Sequence, residues 1–437
     1  MFESVKNAFK VKEIRNRIFF TLVMLVIIRF GSQLPVPGVN REYFANWFAQ
    51  HTGDAFSLVD AFTGGSFLNM SVLALNITPY ITSSIIIQLL TIAIPKLEEM
   101  QKEGEEGRKM LASITRYLTV GLALFEGGAM AIGFGRQGLL QEYNAINVIM
   151  VIATLTAGSA FLMWIGEQIT DKGIGNGISI VLTINIVSRM PQDMVGLFDQ
   201  FVKGKTVAKA IVAAVIIVAV IIAMVILVIL LNDAVRRIPV QYARTLRGRS
   251  QYGTSTSSIP LKVNTAGVMP IIFASSLMEF PVIISSLAGY NGTGIWSEVL
   301  RYLSSSFWCN PAAPKYSLGL VVYVAMLIFF AYFYTSITFN PIEVADNLKK
   351  GSGFIPGIRP GKPTSEYLNR LLGYIIFVGA VGLTIVGILP FFFRGVFNAN
   401  VDFGGTSLII VVSVILETIK QVESLMVQRN YTTFLSD

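Results

Sequence analysis

With one cysteine and one histidine among 437 residues, the chain has little to do chemistry with. Cys309 has no second thiol to pair with, so an internal disulfide is excluded. His51 stands alone in a polar stretch, which leaves neither a histidine-based metal site nor a Ser/His/Asp triad. Charge is also scarce: Asp, Glu, Lys and Arg make up 14% of residues, where a soluble domain carries about 25%. No G-x-x-x-x-G-K-[ST] phosphate loop occurs. "DKGIGNGIS" at 171–179 has the glycines but lacks the lysine and the preceding strand, and reads as a tight turn opening a helix. Nucleotide hydrolysis is therefore not expected, and neither is a cofactor. The short alternating segments of a membrane β-barrel are missing as well.

What the chain has instead is apolar length. Hydrophobic residues make up 53% of it, and "AIVAAVIIVAVIIAMVILVILL" at 210–231 carries no charge at all. Runs of about 20 apolar residues are long enough to cross a bilayer. Ten such spans are expected, near 18–34, 66–93, 112–134, 147–166, 178–190, 210–231, 263–288, 317–338, 372–393 and 406–425. The fold class is thus an all-α polytopic membrane protein. The second span is heavily interrupted: Ser66, Asn69, Ser71, Asn76, Thr78, Thr82, Ser83, Ser84 and Gln88 are spread through it, and Pro79 sits near its centre.

With the N-terminus cytoplasmic, 24 of the 34 lysines and arginines fall in cytoplasmic segments. The positive-inside rule then places both termini on that side. The basic arm "MFESVKNAFKVKEIRNR" is too long and too charged for a cleaved signal peptide. Two cytoplasmic connections, 232–262 and 339–371, are unusually long, which points to docking as well as anchoring. The first holds Arg236, Arg237, Arg244, Arg247 and Arg249; the second is rich in Gly and Pro around Arg359. A positive loop can meet nucleic-acid phosphate or an acidic protein surface. Five spans precede the connection at 191–209 and five follow it, so any structural repeat between the halves is inverted.

Two functional classes fit these features. A gradient-driven carrier of small solutes needs an ionisable residue inside the bundle. Glu126 is the most interior candidate, with Glu279 next and Glu167 and Glu417 near span ends. A pore needs no such residue. Ile81 and Ile85, and again Leu182 and Ile186, are spaced to stack on one helix face. Such pairs are either plain packing or an aliphatic constriction that gates by excluding water.

Several long stretches decide between the two. "PVPGV" (35–39), "FTGGSFLNMSVLALNITPYITSSIIIQLL" (62–90), "PKLEEMQKEGEEGRK" (95–109), "FLMWIGEQITDKGIGNGISI" (161–180), "LKVNTAGVMPIIFASS" (261–276), "FNPIEVADNLKK" (339–350), "GFIPGIRPGKPT" (353–364) and "GGTSLIIVV" (404–412) resemble the SecY/Sec61-alpha family of protein-conducting channels, nearly end to end. The resemblance implies ten transmembrane helices in two inverted five-helix halves, a clamshell around a central pore. The halves would be 1–190 and 210–437, hinged through 191–209.

It further implies a plug at about 58–72, including Phe62, Gly64, Gly65, Ser66, Phe67 and Leu68, followed by a crossing helix at 76–93. The pore ring falls on Ile81, Ile85, Leu182, Ile186, Leu277 and Ile410; the family often has isoleucine at the positions of Leu182 and Leu277. A lateral gate would open between helices two and three and helices seven and eight, with Thr82, Ser84, Gln88, Asn264 and Thr265 as candidates. The two long loops would dock the SecA ATPase or the ribosome, through its RNA and proteins, with Arg359 foremost. By the same resemblance the protein is a passive, non-enzymatic channel in the bacterial cytoplasmic membrane. Its partners are the small membrane subunits SecE and SecG, its substrates signal peptides and nascent chains, and its lateral outlet the membrane lipid.

Overall fold

The computed structural model describes residues 9–40, 43–44, 63–138, 140–203, 207–242, 257–287, 294–311, 313–397 and 405–435. His51, Phe62, Arg244, Arg247 and Arg249 lie outside the described residues. The helices are α1 (Lys12–Gly31), α2 (Thr78–Ala93), α3 (Pro95–Lys102), α4 (Glu105–Arg136), α5 (Ala145–Lys172), α6 (Gly177–Phe201) and α7 (Val207–Asp233). After the strands β1 (Val235–Tyr242) and β2 (Ser257–Lys262) come α8 (Met269–Leu287), α9 (Ile295–Leu303), α10 (Leu318–Thr338) and α11 (Pro341–Lys350). The chain ends with β3 (Gly353–Phe354), α12 (Lys362–Phe397) and α13 (Gly405–Leu435).

Each expected span contains a helix, the second only from Thr78 on, and among the described residues five helices are long and apolar enough to cross a membrane on their own. The apolar stretch of α7 is only 11% buried by protein. A helix apolar on every side and so little covered by protein belongs in lipid. α2 and α3 pass the same test as a pair bent by 108° at Pro95. Proline at the first position of α3 costs nothing there, since its missing N–H would be unpaired in any case.

Three segments differ from the sequence reading. Residues 191–201, expected as part of a hinge loop, continue α6 through Pro191. One lost backbone bond is tolerated here, and the Arg189–Asp193 ion pair at 3.8 Å bridges the proline. Residues 64–77, which take in the first part of the second expected span, are instead a series of turns. The described residues of the two long connections form a three-stranded sheet in the order β2–β1–β3, plus α11 and the start of α12.

The chain divides into two compact units. Unit one comprises Met1–Leu197, Pro281–Leu300 and Val414–Asp437; unit two comprises Phe198–Phe280 and Arg301–Ser413. In unit one α4 packs on α5 and carries α2, while α1 packs on α5. Its core joins Val36, Phe44, Phe67, Met70, Leu75, Phe134, Val151 and Leu155. In unit two α12 is the central helix, packed by α7, α10 and α11. One apolar cluster there gathers Ile271, Trp308, Tyr323, Leu327 and Phe391, and another forms beneath the sheet.

Candidate functional site

The turns at 64–77 follow from backbone conformation. Gly64 (φ 65°), Gly65 (φ 84°), Met70 (φ 42°) and Asn76 (φ 53°) all adopt left-handed conformations, which a right-handed helix cannot contain. The segment is nevertheless held firmly within unit one. The Gly64 carbonyl accepts from Arg29 Nη1 at 3.4 Å. A Cβ added to Gly64 would sit 2.6 Å from the Asn185 carbonyl oxygen, so only glycine allows this approach. Asn185 Nδ2 donates to Asn76 Oδ1 at 3.0 Å. An antiparallel bridge pairs Ser71 with Pro35, closed by Val36 N–H to the Met70 carbonyl at 2.9 Å and Val72 N–H to the Leu34 carbonyl at 2.8 Å. Phe67 is buried edge-on against Phe44 and Phe134, with centroids 6.3 Å away in each case. Ser66 is buried; Gly64, Gly65 and Leu68 are half-buried.

α2 follows directly, with Pro79 in its first turn. Its buried residues are Pro79, Ser83, Ile87 and Thr91, a stripe at four-residue spacing. Residues two positions away along a helix lie about 200° round it, at 3.6 residues per turn. Ile81 and Ile85 are therefore on the face opposite the buried stripe, and both are half-buried. Thr82, Ser84 and Gln88 are half-buried too, with Gln88 Nε2 donating to Ser84 Oγ at 3.4 Å within the same helix. On α6, Leu182 and Ile186 belong to the buried set together with Asn185.

The remaining ring and gate candidates sit in unit two. Leu277 is 58% exposed although Ala274 and Met278, its neighbours on α8, are buried. Ile410 is buried in an unbroken run from Leu408 to Val411. Asn264 bonds within its own unit: its Nδ2 donates to Asn232 Oδ1 at 2.9 Å, and Asn232 Nδ2 donates to Ser413 Oγ at 2.7 Å. Thr265 Oγ1 donates to the Lys262 carbonyl at 2.7 Å.

A family model for SecY matches residues 71–419. The chain belongs to the SecY family. It is 40% identical to the protein translocase subunit SecY of Corynebacterium glutamicum over 99% of both chains. It is 42% identical to that of Bacillus subtilis strain 168 over the full length of both. Among solved structures, a protein-conducting channel matches with a TM-score of 0.62 at 17% identity, covering 95% of this chain and 93% of the other. Sec61 from a canine ribosome–channel complex of the endoplasmic reticulum matches with a TM-score of 0.59 at 17% identity, with 95% and 93% coverage. At that identity the structural matches establish a common fold.

The described residues of the two long connections form one module. β1 pairs with β2 from Val235↔Lys262 to Val240↔Ser257, and with β3 through Gln241↔Phe354 and Tyr242↔Gly353. Ile238, Val240, Leu261, Leu348, Ile355, Leu368 and Leu372 bury its apolar side. Arg236, Arg237 and Arg359 are exposed on it. Among the carboxylates, Glu167 is tied to Arg116 at 2.7 Å, Glu417 is exposed, and Glu126 is half-buried on α4. Among the described residues no group of His, Cys, Asp or Glu could hold a metal ion.

Sequence reasoning passed over Arg29, Asn185 and the sheet. A single arginine inside the first apolar span was the available signal for Arg29, since a charge there needs a partner. Asn185 carried no signal of its own; a lone asparagine in a span acquires meaning only from what it meets.

Proposed function

We infer that this chain is the channel-forming subunit of a protein translocase, a passive conduit that is not itself an enzyme. It moves unfolded secretory polypeptides across the membrane and releases transmembrane segments sideways into lipid. The observation that carries this reading is about 40% identity to SecY subunits over the full length. A scarcity of interior charge supports it over a small-solute carrier.

The segment around 58–72 is the plug of the resting channel, and Arg29 and Asn185 hold it. The left-handed positions at Gly64, Gly65 and Met70 let the chain turn compactly into this seat, and non-covalent anchors allow it to leave and return. The aliphatic ring consists of Ile81, Ile85, Leu182, Ile186, Leu277 and Ile410, with Ile81 and Ile85 turned from the packed face of α2. The lateral gate is lined by Thr82, Ser84, Gln88, Asn264 and Thr265. Polar contacts between membrane helices stabilise by only about 0.6 kcal/mol each, which suits a joint that opens.

The basic module of 232–262 and 339–371 docks SecA or the ribosome, whose energy drives transport; one relative of known structure is a Sec61 channel in a ribosome complex. SecE and SecG are the small membrane partners. The halves 1–190 and 210–437 pivot through 191–209, in the cytoplasmic membrane with both termini inside. The test is replacement of SecY in a depletion strain. Restored growth and preprotein export are expected, whereas solute uptake without export would overturn the reading.

A further inference from the structure

α9 lies between the membrane helices α8 and α10 and is sorted by face. Placed on a wheel at 100° per residue, Ile295, Trp296, Val299, Leu300, Tyr302 and Leu303 cover one side; Ser297, Glu298 and Arg301 cover the other. No residue of α9 is buried. On the apolar side Ile295 is 87% exposed, Trp296 47% and Val299 37%, while Leu300, Tyr302 and Leu303 are half-buried; on the polar side Ser297 and Glu298 are half-buried and Arg301 is exposed. The edge formed by Ile295, Trp296 and Val299 is thus apolar and uncovered by protein, which is costly in water.

Both ends of α9 are tied to the ends of membrane helices. At its start Trp296 Nε1 donates to Ser285 Oγ, in the last turn of α8, at 3.1 Å. At its close the Tyr302 carbonyl accepts from Trp308 Nε1 at 2.9 Å. Trp308 is itself 2% exposed and packs on Tyr323 of α10. Gly319, in the first turn of α10, lies so close that a Cβ there would stand 1.8 Å from the same Tyr302 carbonyl oxygen. The last turn of α9 is thereby fixed level with the point where α10 begins. Around it stand Tyr316 and Phe307, their rings 5.7 Å apart, with Arg301 Nη1 donating to Tyr316 Oη at 3.3 Å and Lys315 4.7 Å over the Tyr316 ring. Aromatic rings with cations beside them, at the end of a membrane span, mark headgroup level.

We propose that α9 is an interfacial helix, lying in the plane of the membrane with Ile295, Trp296 and Val299 buried in the phospholipid of the non-cytoplasmic leaflet. A helix of this kind seats its apolar face about 5–10 Å into the headgroup–acyl boundary. This reading needs α8 and α10 to span a bilayer, but it does not need the chain to conduct protein.

The single native cysteine makes the test direct. In a Cys309→Ser background, Ile295→Cys, Ser297→Cys and Val299→Cys are spin-labelled one at a time. The full-length protein, with its co-purified membrane subunits, is reconstituted into phosphatidylethanolamine–phosphatidylglycerol vesicles. Collisional relaxation by oxygen and by a water-soluble nickel chelate is then compared. Labels at 295 and 299 are expected to favour oxygen and the label at 297 to favour nickel. Nickel access at 295 and 299 equal to that at 297 would put the face in water and overturn the proposal. Immobilised labels reached by neither reagent would put protein on the face and overturn it equally. Export assayed on the same preparations reports on the channel reading separately.

Discussion

The side chains of Asn185 and Asn76 meet in a buried hydrogen bond at 3.0 Å, although 109 residues separate them in the chain. Asn76 is in a left-handed conformation at the end of the turn segment, one residue before the cap of α2. Asn185 is on the buried face of α6. The bond ties the base of the proposed plug to a helix that also bears two ring candidates, Leu182 and Ile186. The proposed plug and two of the ring candidates therefore meet in one small region of unit one.

Asn185→Ala removes that bond and is expected to cost about 1 kcal/mol, the usual net value of one intramolecular hydrogen bond. The consequence for the channel is larger than for stability. Ion conductance of the resting channel in planar bilayers is expected to rise, while thermal unfolding shifts little. Unchanged conductance would remove Asn185 from the plug's seat.

The two glycines at the start of the segment separate strain from collision. Gly64→Ala meets both a left-handed backbone and the Asn185 carbonyl; Gly65→Ala meets the backbone penalty alone, with its nearest neighbour 3.7 Å away. Left-handed conformation costs a non-glycine residue about 1–3 kcal/mol. Both variants are expected to leak ions, Gly64→Ala more so. Equal leakage from the two would mean that the contact with Asn185 is unimportant.

Ring positions differ in how deeply they are set. Ile81→Ser with Ile85→Ser alters half-buried side chains, so folding is expected to survive while ion conductance of the translocating channel rises. Leu182→Ala or Ile186→Ala empties a packed site and is expected to destabilise by about 2–5 kcal/mol. Chemical denaturation in detergent measures the second effect and bilayer recording the first. A silent Ile81/Ile85 double variant would remove both residues from the constriction.

Arg359 is exposed on the sheet module, and its backbone carbonyl accepts from Thr364 Oγ1 at 2.8 Å. Arg359→Glu is expected to lower SecA-driven preprotein import into vesicles several-fold with an unaltered melting curve. Normal import would move the docking role elsewhere on the module.

Glu126→Gln keeps the shape of the side chain and removes its charge. Export at the parental rate is expected, because a passive pore does not use a coupling carboxylate. A selective loss of transport with intact folding would restore a proton-coupled role.

Sequence alone marked the apolar spans and set the expectation for their orientation and for a chain with little reaction chemistry. Apolar length, the bias of Lys and Arg and missing residue types are all written locally in the chain, and a bilayer reads them directly. It also marked residues 64–90 as abnormal, through the glycines, the scattered Ser and Asn residues and Pro79. Only the tertiary structure decided what the abnormality is: left-handed turns bound to Arg29, Pro35 and Asn185. It alone joined 235–242 to 353–354 as strands and turned Asn264 inward to Asn232. Strand pairing and a polar side chain's choice of partner depend on groups far apart in sequence. In each case the partner that satisfies a buried N–H or C=O comes from packing, which no local pattern records.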